Sequence, residues 1–310
     1  MRKVDLSALE VFKAVVDEGG VAKAAARLHR VPSNVTTRVK QLEPRLGTAL
    51  FHRRRGRLVL TPEGQVLLGY ADRLLRLSSE AEDALNGGTP RGSFRLGTLE
   101  STAATRLAPV LSRYHLAYPD VRLELVTGTS GALIAKVLRD ELDAAFVAEP
   151  FPGDGLDAQP AFRERLVLIT PKSFPKPVRA AALADYTIIA FGAGCSYRQC
   201  LESWLSSSKV VAGRVLEFTS YHAIVACVAA GAGVALVPES VIKAVPAGAQ
   251  VAIHRFAGTI TRPQTMLVSR ADYHSAALDA LRTSLRPQRR TLGLRSLRPL
   301  PRWHARPSPD

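Results

Sequence analysis

Residues 20–46 constrain the fold of this chain more than any other stretch, because they predict two helices separated by a sharp break. Pro32 makes the break, since it has no amide hydrogen and favours an extended backbone at Val31. Apolar residues three and four positions apart predict a short helix before the break and a second helix after it, with Ser33 or Asn34 as its cap. The apolar positions are Val21, Ala24, Ala25 and Leu28 in the first helix and Val35, Val39, Leu42 and Leu46 in the second.

The opposite face of the second helix is polar at its start and basic further along. Short hydroxyl and amide side chains at a helix start, followed by cations, are typical of a helix that reads bases in the major groove. An ordinary solvated helical hairpin has the same spacing, so the pattern alone leaves both interpretations open. The face comprises Ser33, Asn34, Thr36, Thr37, Arg38, Lys40 and Gln41.

Positive charge is concentrated at the two ends of the chain. The 310 residues carry a formal net charge of +15. Residues 1–60 hold 13 Lys and Arg against 5 Asp and Glu, and residues 286–310 hold 7 Arg against 1 Asp, so the middle is nearly neutral. Two basic ends around a neutral body favour a polyanionic partner for the ends and a separate role for the middle.

A β-hairpin is predicted after the second helix, and arginines crowd its tip. A charge run of this kind is ordinarily a solvated loop, but beside a reading helix it favours contacts with DNA phosphates. The next helix is predicted from Thr61, with Pro62 in its first turn. Its apolar residues alternate by three and four over nearly three heptads, which indicates a coiled-coil seam and therefore a dimer. The tip arginines are Arg53, Arg54, Arg55 and Arg57, and the seam residues are Leu67, Tyr70, Leu74, Leu77, Ala81 and Ala84.

Strand and helix patterns alternate from residue 93 onward, which predicts open parallel sheets with helices on both faces. Residues 287–310 are rich in proline and arginine and poor in apolar residues, which predicts a disordered tail. The predicted strands are 94–99, 121–127, 144–147, 166–170, 187–191, 215–219, 234–237, 251–256 and 265–268.

Residues 6–64 resemble the winged helix-turn-helix of the LysR-type transcriptional regulators. The matching stretches read LSALEVFKAVVDEGGVAKAAARL and VPSNVTTRVKQLEPRLGTALFHRRRGRLVLTPEG. The resemblance continues to about residue 286. It implies an α/β protein with an N-terminal winged helix-turn-helix, a linker helix and an effector domain of two subdomains, similar to periplasmic binding proteins. The expected limits are 1–60 for the DNA-binding domain, 61–86 for the linker helix, 87–92 for a hinge, 93–286 for the effector domain (subdomain I 93–162 and 269–286, subdomain II 163–268) and 287–310 for the tail.

The resemblance also implies a function and its partners. We expect a sequence-specific DNA-binding regulator, not an enzyme, with no cofactor or metal, controlled by a small anionic effector between the subdomains. Double-stranded DNA with an inverted-repeat operator is the expected partner, the expected assembly is a homodimer or homotetramer, and RNA polymerase is a further candidate partner. The expected DNA-binding residues are Pro32, Ser33, Asn34, Thr36, Thr37, Arg38, Arg53, Arg54 and Arg55.

Hydroxyl side chains follow several strands of the predicted sheets. Ligands bind at the carboxyl ends of such strands, where helix N-termini point amides into the cleft. Serine at a helix start is ordinarily only a cap, and that alternative applies to each junction singly. The expected effector-binding residues are Ser101, Thr102, Thr129, Ser130, Ser196 and Ser220, with Arg198 as a candidate cation.

Two further interpretations remain at this stage. Residues 93–286 could form an enzyme or a solute binder, with the basic ends incidental. Cys195 and Cys200 could form a redox sensor, although a helix would hold residues five positions apart too far from each other for a disulfide. The three cysteines, the absence of a long apolar run and the charged N-terminus predict a cytoplasmic protein without a membrane span.

Overall fold

The N-terminal part of the chain folds into three helices and an antiparallel β-hairpin, as predicted. The hairpin pairs Phe51 with Leu60 and Arg54 with Arg57. The computed structural model describes residues 4–54, 57–85, 88–175, 178–211, 213–255 and 262–285. The first elements are α1 (Leu6–Asp17), α2 (Val21–Arg27), α3 (Pro32–Leu46), β1 (Phe51–Arg54) and β2 (Arg57–Leu60).

The core of this unit joins all three helices to the hairpin. Phe12 and Leu42 are fully buried, and the Phe12 ring lies 5.4 Å from the ring of Phe51. Burial of each such side chain contributes about 1.5–3 kcal/mol. The apolar spacing predicted for α3 is confirmed, since Val35, Val39 and Leu42 are its buried residues.

Helix α3 begins at Pro32, earlier than a cap at Ser33 or Asn34 would allow. Val31 precedes it with an extended backbone (φ −79°, ψ 144°), and no side chain caps the first amides. Proline suits this first helical position, because an amide there has no partner within the helix. The predicted capping role of Ser33 and Asn34 is therefore wrong, and both residues are exposed.

A long helix, α4 (Pro62–Leu85), continues directly from the hairpin. Thr61 caps it as predicted, because its Oγ1 accepts a hydrogen bond from the amide of Gly64 at 2.9 Å. A β-carbon on Gly64 would lie 2.3 Å from the carbonyl oxygen of Leu50. Only glycine therefore allows α4 to pack this closely against the end of the N-terminal helix-and-hairpin unit.

One face of α4 is apolar and exposed in the single chain. Tyr70, Leu74 and Leu77 of the predicted seam expose 57%, 42% and 62% of their surface. Leu67, at the start of the seam, packs against the apolar core that includes α1. A contiguous apolar stripe of this kind favours contact with another protein surface.

The rest of the chain alternates strands and helices, and its short helical turns separate the longer elements. In chain order these elements are β3 (Gly92–Thr98), α5 (Glu100–Thr102), a π turn (Ala103–Leu107), α6 (Ala108–Ala117), β4 (Val121–Thr127), α7 (Ser130–Leu138), β5 (Ala144–Ala148), β6 (Leu156–Arg163), β7 (Leu166–Pro171), a 3-10 turn (Ala180–Leu183), β8 (Thr187–Ala190), α8 (Ser196–Ser207), β9 (Arg214–Glu217), α9 (Tyr221–Ala229), β10 (Ala235–Pro238), α10 (Glu239–Ala244), a 3-10 turn (Pro246–Gln250), β11 (Val251–His254), β12 (Gln264–Arg270) and α11 (Ala276–Leu285).

The first lobe is built on a five-stranded sheet in the order β4-β3-β5-β12-β6. Strands β3, β4 and β5 are parallel, but β12 is antiparallel to both β5 and β6. The predicted all-parallel arrangement is therefore wrong for half of this sheet. The sequence pattern also misses β6, because Pro160 and polar residues interrupt it; proline is tolerated here because β6 is an edge strand.

The return strand β12 corrects one predicted boundary. Residues 265–268 were expected in subdomain II, yet Val268 pairs with Ala145 of the first sheet. Leu267 and Val268 are almost fully buried there. The strand belongs to the first lobe because it lies between β5 and β6, and its backbone forms hydrogen bonds with both.

The second lobe contains strands β7 to β11. Its three-stranded sheet has the antiparallel order β10-β7-β11, and the parallel pair β8-β9 adjoins it through a bridge between Ile188 and Val234. The largest apolar cluster contains residues of both lobes, such as Val137 of α7 and Val228 of α9. The two lobes therefore pack against each other around a shared boundary.

Two buried aspartates connect α4 to the first lobe. Asp140 forms ion pairs with Arg73 at 3.0 Å and with Arg76 at 2.5 Å, and it also forms one with Arg270 of β12. Asp143 pairs with Arg95 at 2.8 Å. These four arginines and two aspartates form what we term the arginine–aspartate cluster, which fixes the middle of α4 to the first lobe.

Candidate functional site

The exposed face of α3 carries the residues expected to read DNA. Ser33, Asn34 and Thr37 point away from the core, and Pro32 is exposed at the helix start. The Thr36 hydroxyl instead donates a hydrogen bond to the carbonyl of Pro32 at 3.0 Å. The structure therefore separates two adjacent threonines that the sequence treats alike.

Arg38 lies further along α3 towards its C-terminus, beside the start of α1. Its guanidinium is 3.2 Å from Asp5, whose side chain also caps α1 by accepting from the amide of Ser7 at 3.0 Å. The side chains of Arg38 and Asp5 are 38% and 44% exposed. Exposed pairs of this kind contribute at most about 1 kcal/mol, so Arg38 remains available to a stronger anionic partner.

The hairpin places its basic residues next to α3. The backbone of Arg53 and Arg54 lies in β1, and Arg54 pairs with Arg57 across the hairpin. Arg55 lies outside the described residues, as does the predicted tail 287–310. The backbone arrangement is that of a wing, as predicted.

A small cavity of about 20 Å³ lies in the cleft between the two lobes. It is bordered by the ends of β3, β4 and β5 in the first lobe and by the starts of α8 and α9 in the second. This is the position expected for a ligand, at the carboxyl ends of parallel strands. The lining residues are Leu99, Glu100, Gly128, Thr129, Ser130, Ala148, Phe191, Cys195, Ser196, Tyr197 and Tyr221.

Three of the expected hydroxyls line this cavity but bond to the protein itself. Ser196 donates to the carbonyl of Ala148 at 2.7 Å, which joins α8 of the second lobe to β5 of the first. Ser130 accepts from the amide of Ala148 at 3.1 Å. Thr129 caps α7 by accepting from the amide of Ala132. All three hydroxyls therefore have a structural role in this state.

Ser101 differs from these residues. It is only 2% exposed, and its hydroxyl has no hydrogen-bond partner among the described residues. The hydroxyls of Tyr197 and Thr265 are also buried without a partner. Ser101 and Thr265 lie close enough to Tyr197 to lower its pKa, although burial raises that pKa more strongly. Unpaired buried polar groups each cost about 1–3 kcal/mol, which makes this trio a candidate ligand contact.

The two remaining expected residues are placed differently. Thr102 is buried within the short helix α5, and, like Ser101, neither Thr102 nor Ser220 lines the cavity. Ser220 precedes α9, but its side chain does not cap that helix. The Glu100 carboxylate approaches this helix start from the first lobe, and the Tyr221 amide favours its charged form. Burial nevertheless raises the pKa of Glu100 overall.

Sequence reasoning missed Glu100, Phe191, Tyr197 and Tyr221 as cleft residues. Glu100 immediately follows a strand and Tyr221 immediately follows a helix cap, so their positions contained the same signal as the serines. The rings of Phe191 and Tyr221 lie 4.6 Å apart at 51° and form an aromatic wall. A pattern of hydroxyls at helix starts does not identify the aromatic and acidic side chains beside them.

The cleft is closed by direct contacts between the lobes. The amide of Gly131 in α7 donates to the carbonyl of Gly194 at 3.0 Å. Gly194 has a φ of +84°, a conformation that side-chain-bearing residues rarely adopt. Together with the bond from Ser196 to Ala148, this contact holds the start of α8 against the first lobe.

The burial of the cysteines does not favour the redox interpretation. Cys195 and Cys200 are both buried free thiols. Burial raises the pKa of the Cys195 thiol, and it raises the pKa of Cys200 to about 11. Protonated thiols react slowly with oxidants, because the thiolate is the nucleophile.

The described part of the chain contains no helix long and apolar enough to cross a bilayer. A winged helix-turn-helix, a long helix and a two-lobed α/β module with a cleft together define the class of transcriptional regulators that combine a DNA-binding and a ligand-binding domain. Sequence comparison supports this class. Residues 6–65 match the bacterial regulatory helix-turn-helix protein of the lysR family, and residues 87–290 match the LysR substrate binding domain.

Curated relatives and solved structures agree with these matches. The chain is 37% identical over 281 residues to an uncharacterized HTH-type transcriptional regulator, YusT, of Bacillus subtilis (strain 168), covering 90% of this chain and 94% of that protein. It is 34% identical over 285 residues to the HTH-type transcriptional regulator GltR of the same strain, covering 91% and 96%.

Two full-length structures share the fold. An OxyR variant from Pseudomonas aeruginosa has a TM-score of 0.69 at 21% identity, covering 92% of this chain and 95% of that one. CbnR in complex with its target DNA has a TM-score of 0.62 at 23% identity, covering 91% and 99%. The chain belongs to the LysR family of transcriptional regulators. The predicted fold class and family are thereby confirmed, and its relatives are regulators rather than enzymes.

Proposed function

We propose that this regulator changes its action on DNA when a small molecule binds in the cleft between its two lobes. The observation that carries the proposal is a buried trio, Ser101, Tyr197 and Thr265, whose hydroxyls have no hydrogen-bond partner among the described residues. Tyr197 lines the cavity, and Ser101 and Thr265 lie near its hydroxyl. Buried polar groups in proteins ordinarily have partners, so their presence at a strand-end cleft supports a ligand site.

DNA recognition is assigned to α3 and the hairpin. The exposed surface of α3 suits base edges, and it is formed by Pro32, Ser33, Asn34 and Thr37. Thr36 and Arg38 lie on the same helix and are partly buried. Arg53, Arg54 and Arg55 would neutralise phosphates beside the groove, which adds affinity without sequence preference.

The exposed stripe of α4 supports a homodimer. Tyr70, Leu74 and Leu77 would pair with the same residues of a second copy, as a two-fold coiled-coil seam requires. Two copies of α3 related by two-fold symmetry would read an inverted repeat. Tetramer formation and contact with RNA polymerase remain predictions from the family resemblance.

We retain most of the expected domain limits and change one. The DNA-binding domain (1–60), the linker helix (61–86), the hinge (87–92) and the effector domain (93–286) are kept as proposals. Residues 264–268 move from subdomain II to subdomain I, because β12 pairs with β5 and β6.

The effector part of the proposal is tested by mapping bound DNA across the genome and then titrating a footprint with metabolites of the pathways encoded nearby. For a compound that alters the wild-type footprint, Ser101→Ala should require at least a tenfold higher concentration. A lost contact to a ligand is worth about 1.5–3 kcal/mol if the ligand is charged. Ser284→Ala is the matched control, because that hydroxyl bonds only within α11, to the carbonyl of Ala280.

Two results would contradict the effector assignment. A footprint that no metabolite alters would contradict control by a small molecule, and an unchanged response of Ser101→Ala would place the ligand elsewhere. DNA binding without effector should be the same in both serine variants and the wild type.

A further inference from the structure

The charge of the cleft was expected to suit an anion, but the lining residues argue otherwise. Of the residues around the cavity, all of which the structure describes, Glu100 alone carries a formal charge at neutral pH. Its Oε2 is buried and has no hydrogen-bond partner among the described residues. The cleft therefore offers a ligand one unused carboxylate oxygen and no lining cation.

Arg198 is the nearby arginine that could have added a positive charge to the cleft, but it already forms ion pairs with two glutamates. The guanidinium of Arg198, in the first turn of α8, is 2.7 Å from Glu202 and 2.5 Å from Glu217. It also donates to the carbonyl of Phe191 at 3.4 Å. An anionic ligand would have to displace two carboxylates to use this cation.

The helix start that would bind an anion is occupied as well. Helix α9 has no side-chain cap from Ser220, and the carboxylate of Glu100 lies near the amide of Tyr221 instead. His222, exposed in the same turn, further favours the charged carboxylate. A protein carboxylate thus takes the place that a ligand carboxylate would otherwise fill at a helix N-terminus.

Aromatic rings complete the surroundings of Glu100. Phe191 and Tyr221 form the wall described above, and Tyr197 lies at the cavity with an unpaired hydroxyl. Aromatic faces beside a carboxylate attract ammonium groups, since ring quadrupole and charge act in the same direction.

We propose that the cleft binds a small organic amine in its protonated form and disfavours carboxylates. The ammonium group would donate to Glu100, and its short apolar part would contact Phe191 and Tyr221. The cavity of about 20 Å³ has room for a single water molecule, so any such ligand requires some separation of the lobes. This inference rests on the proposed effector function, whose site it deepens.

The test uses the full-length protein and three probes of equal length: n-propylamine, n-propanol and propionate. Their dissociation constants are measured at pH 7 by ligand-observed NMR, since ligands of so few atoms bind only weakly. We expect the wild type to bind n-propylamine at least tenfold more tightly than propionate, with n-propanol between them.

Two variants locate this preference. Glu100→Gln should weaken n-propylamine binding at least tenfold and strengthen propionate binding. Glu124→Gln, which removes the same charge from exposed strand β4, should change neither.

Less than a tenfold preference for the amine in the wild type overturns the inference, and this includes the case in which no probe binds. Retention of the full preference in Glu100→Gln also overturns it. Failure of the proposed function is a separate result, because it appears as a footprint that no metabolite alters.

Discussion

The DNA-binding helix α3 and the interlobe cleft use the same residue types in opposite ways. Both regions place serine and threonine at helix starts. On α3, Ser33 and Thr37 are exposed and make no cap. In the cleft, Ser130 and Ser196 are buried and bonded to the backbone of Ala148.

This difference shows that a hydroxyl at a helix start is informative only once its partner is known. On α3 the cap position is taken by Val31 and the first helical position by Pro32, so the hydroxyls of Ser33 and Thr37 remain exposed. In the cleft, Ser196 connects the two lobes and Ser130 bonds within the first lobe, whereas the Oε2 of Glu100 and the hydroxyl trio have no partner among the described residues. The same sequence signal therefore accompanies exposed hydroxyls on α3 and buried, bonded hydroxyls in the cleft.

The largest effect should follow from disrupting the arginine–aspartate cluster that joins the two regions. Asp140→Asn leaves Arg76 and Arg270 without their shared counter-charge, and removing one partner of a buried pair is costly. We expect the free energy of unfolding to fall by about 3 kcal/mol, the lower end of the usual range, because Arg73 is half-exposed. Urea unfolding followed by circular dichroism measures this loss.

Asp272→Asn provides the control for that experiment. Asp272 also pairs with Arg270, at 2.8 Å, but its side chain is 75% exposed. No measurable loss of stability is expected, because exposed ion pairs contribute little. Similar losses in the two variants would show that the cluster does not join the two regions.

The adjacent threonines of α3 test the comparison within one region. Thr37→Ala should weaken binding to the cognate site by about 1–3 kcal/mol, the usual value of a base contact, with little change on random DNA. Thr36→Ala should have a smaller effect on discrimination, since its hydroxyl already bonds to Pro32. Competition binding with both DNAs measures the two variants, and equal losses on cognate and random DNA would argue against base reading by Thr37.

The hairpin arginines should produce the smallest change in discrimination. Replacing Arg53 and Arg55 by alanine should weaken all DNA sequences alike and reduce the slope of log affinity against log salt by about two. Replacing Arg122 and Arg139, which are 75% and 61% exposed on the first lobe, should leave the slope unchanged. A slope that stays at the wild-type value in the hairpin variant would exclude phosphate contacts by these arginines.

The architecture could be predicted from the sequence where spacing alone determines burial. The periodicity of α3 and the cap at Thr61 are local signals, and the structure confirms both. Strand β6 escaped prediction because an edge strand tolerates Pro160 and polar residues. Strand β12 was assigned to the wrong lobe because its pairing with Ala145 depends on contacts distant in sequence.

The candidate site was less predictable because its chemistry depends on which groups remain unpaired. The sequence identifies Ser101 and Ser196 equally, but only the fold shows that Ser196 bonds to Ala148 and that Ser101 has no partner. The proximity of Glu100 to the start of α9 joins residues from two lobes. No local pattern contains that information.

The tight fit at Gly64 has a mechanical consequence. At Gly64 the start of α4 packs so closely against Leu50 that no side chain fits between them. We therefore expect α4 and the DNA-binding unit to rotate together as one rigid body. The cluster at Arg76 lies 14 residues from Pro62, a lever of about 21 Å at 1.5 Å per residue. A rotation of about 10° at the cluster would displace the near end of α4 by about 4 Å, which is close to the spacing of about 3.4 Å between successive base pairs. A small change of angle at the effector lobe is thus enough to shift the DNA-binding unit by one base-pair step.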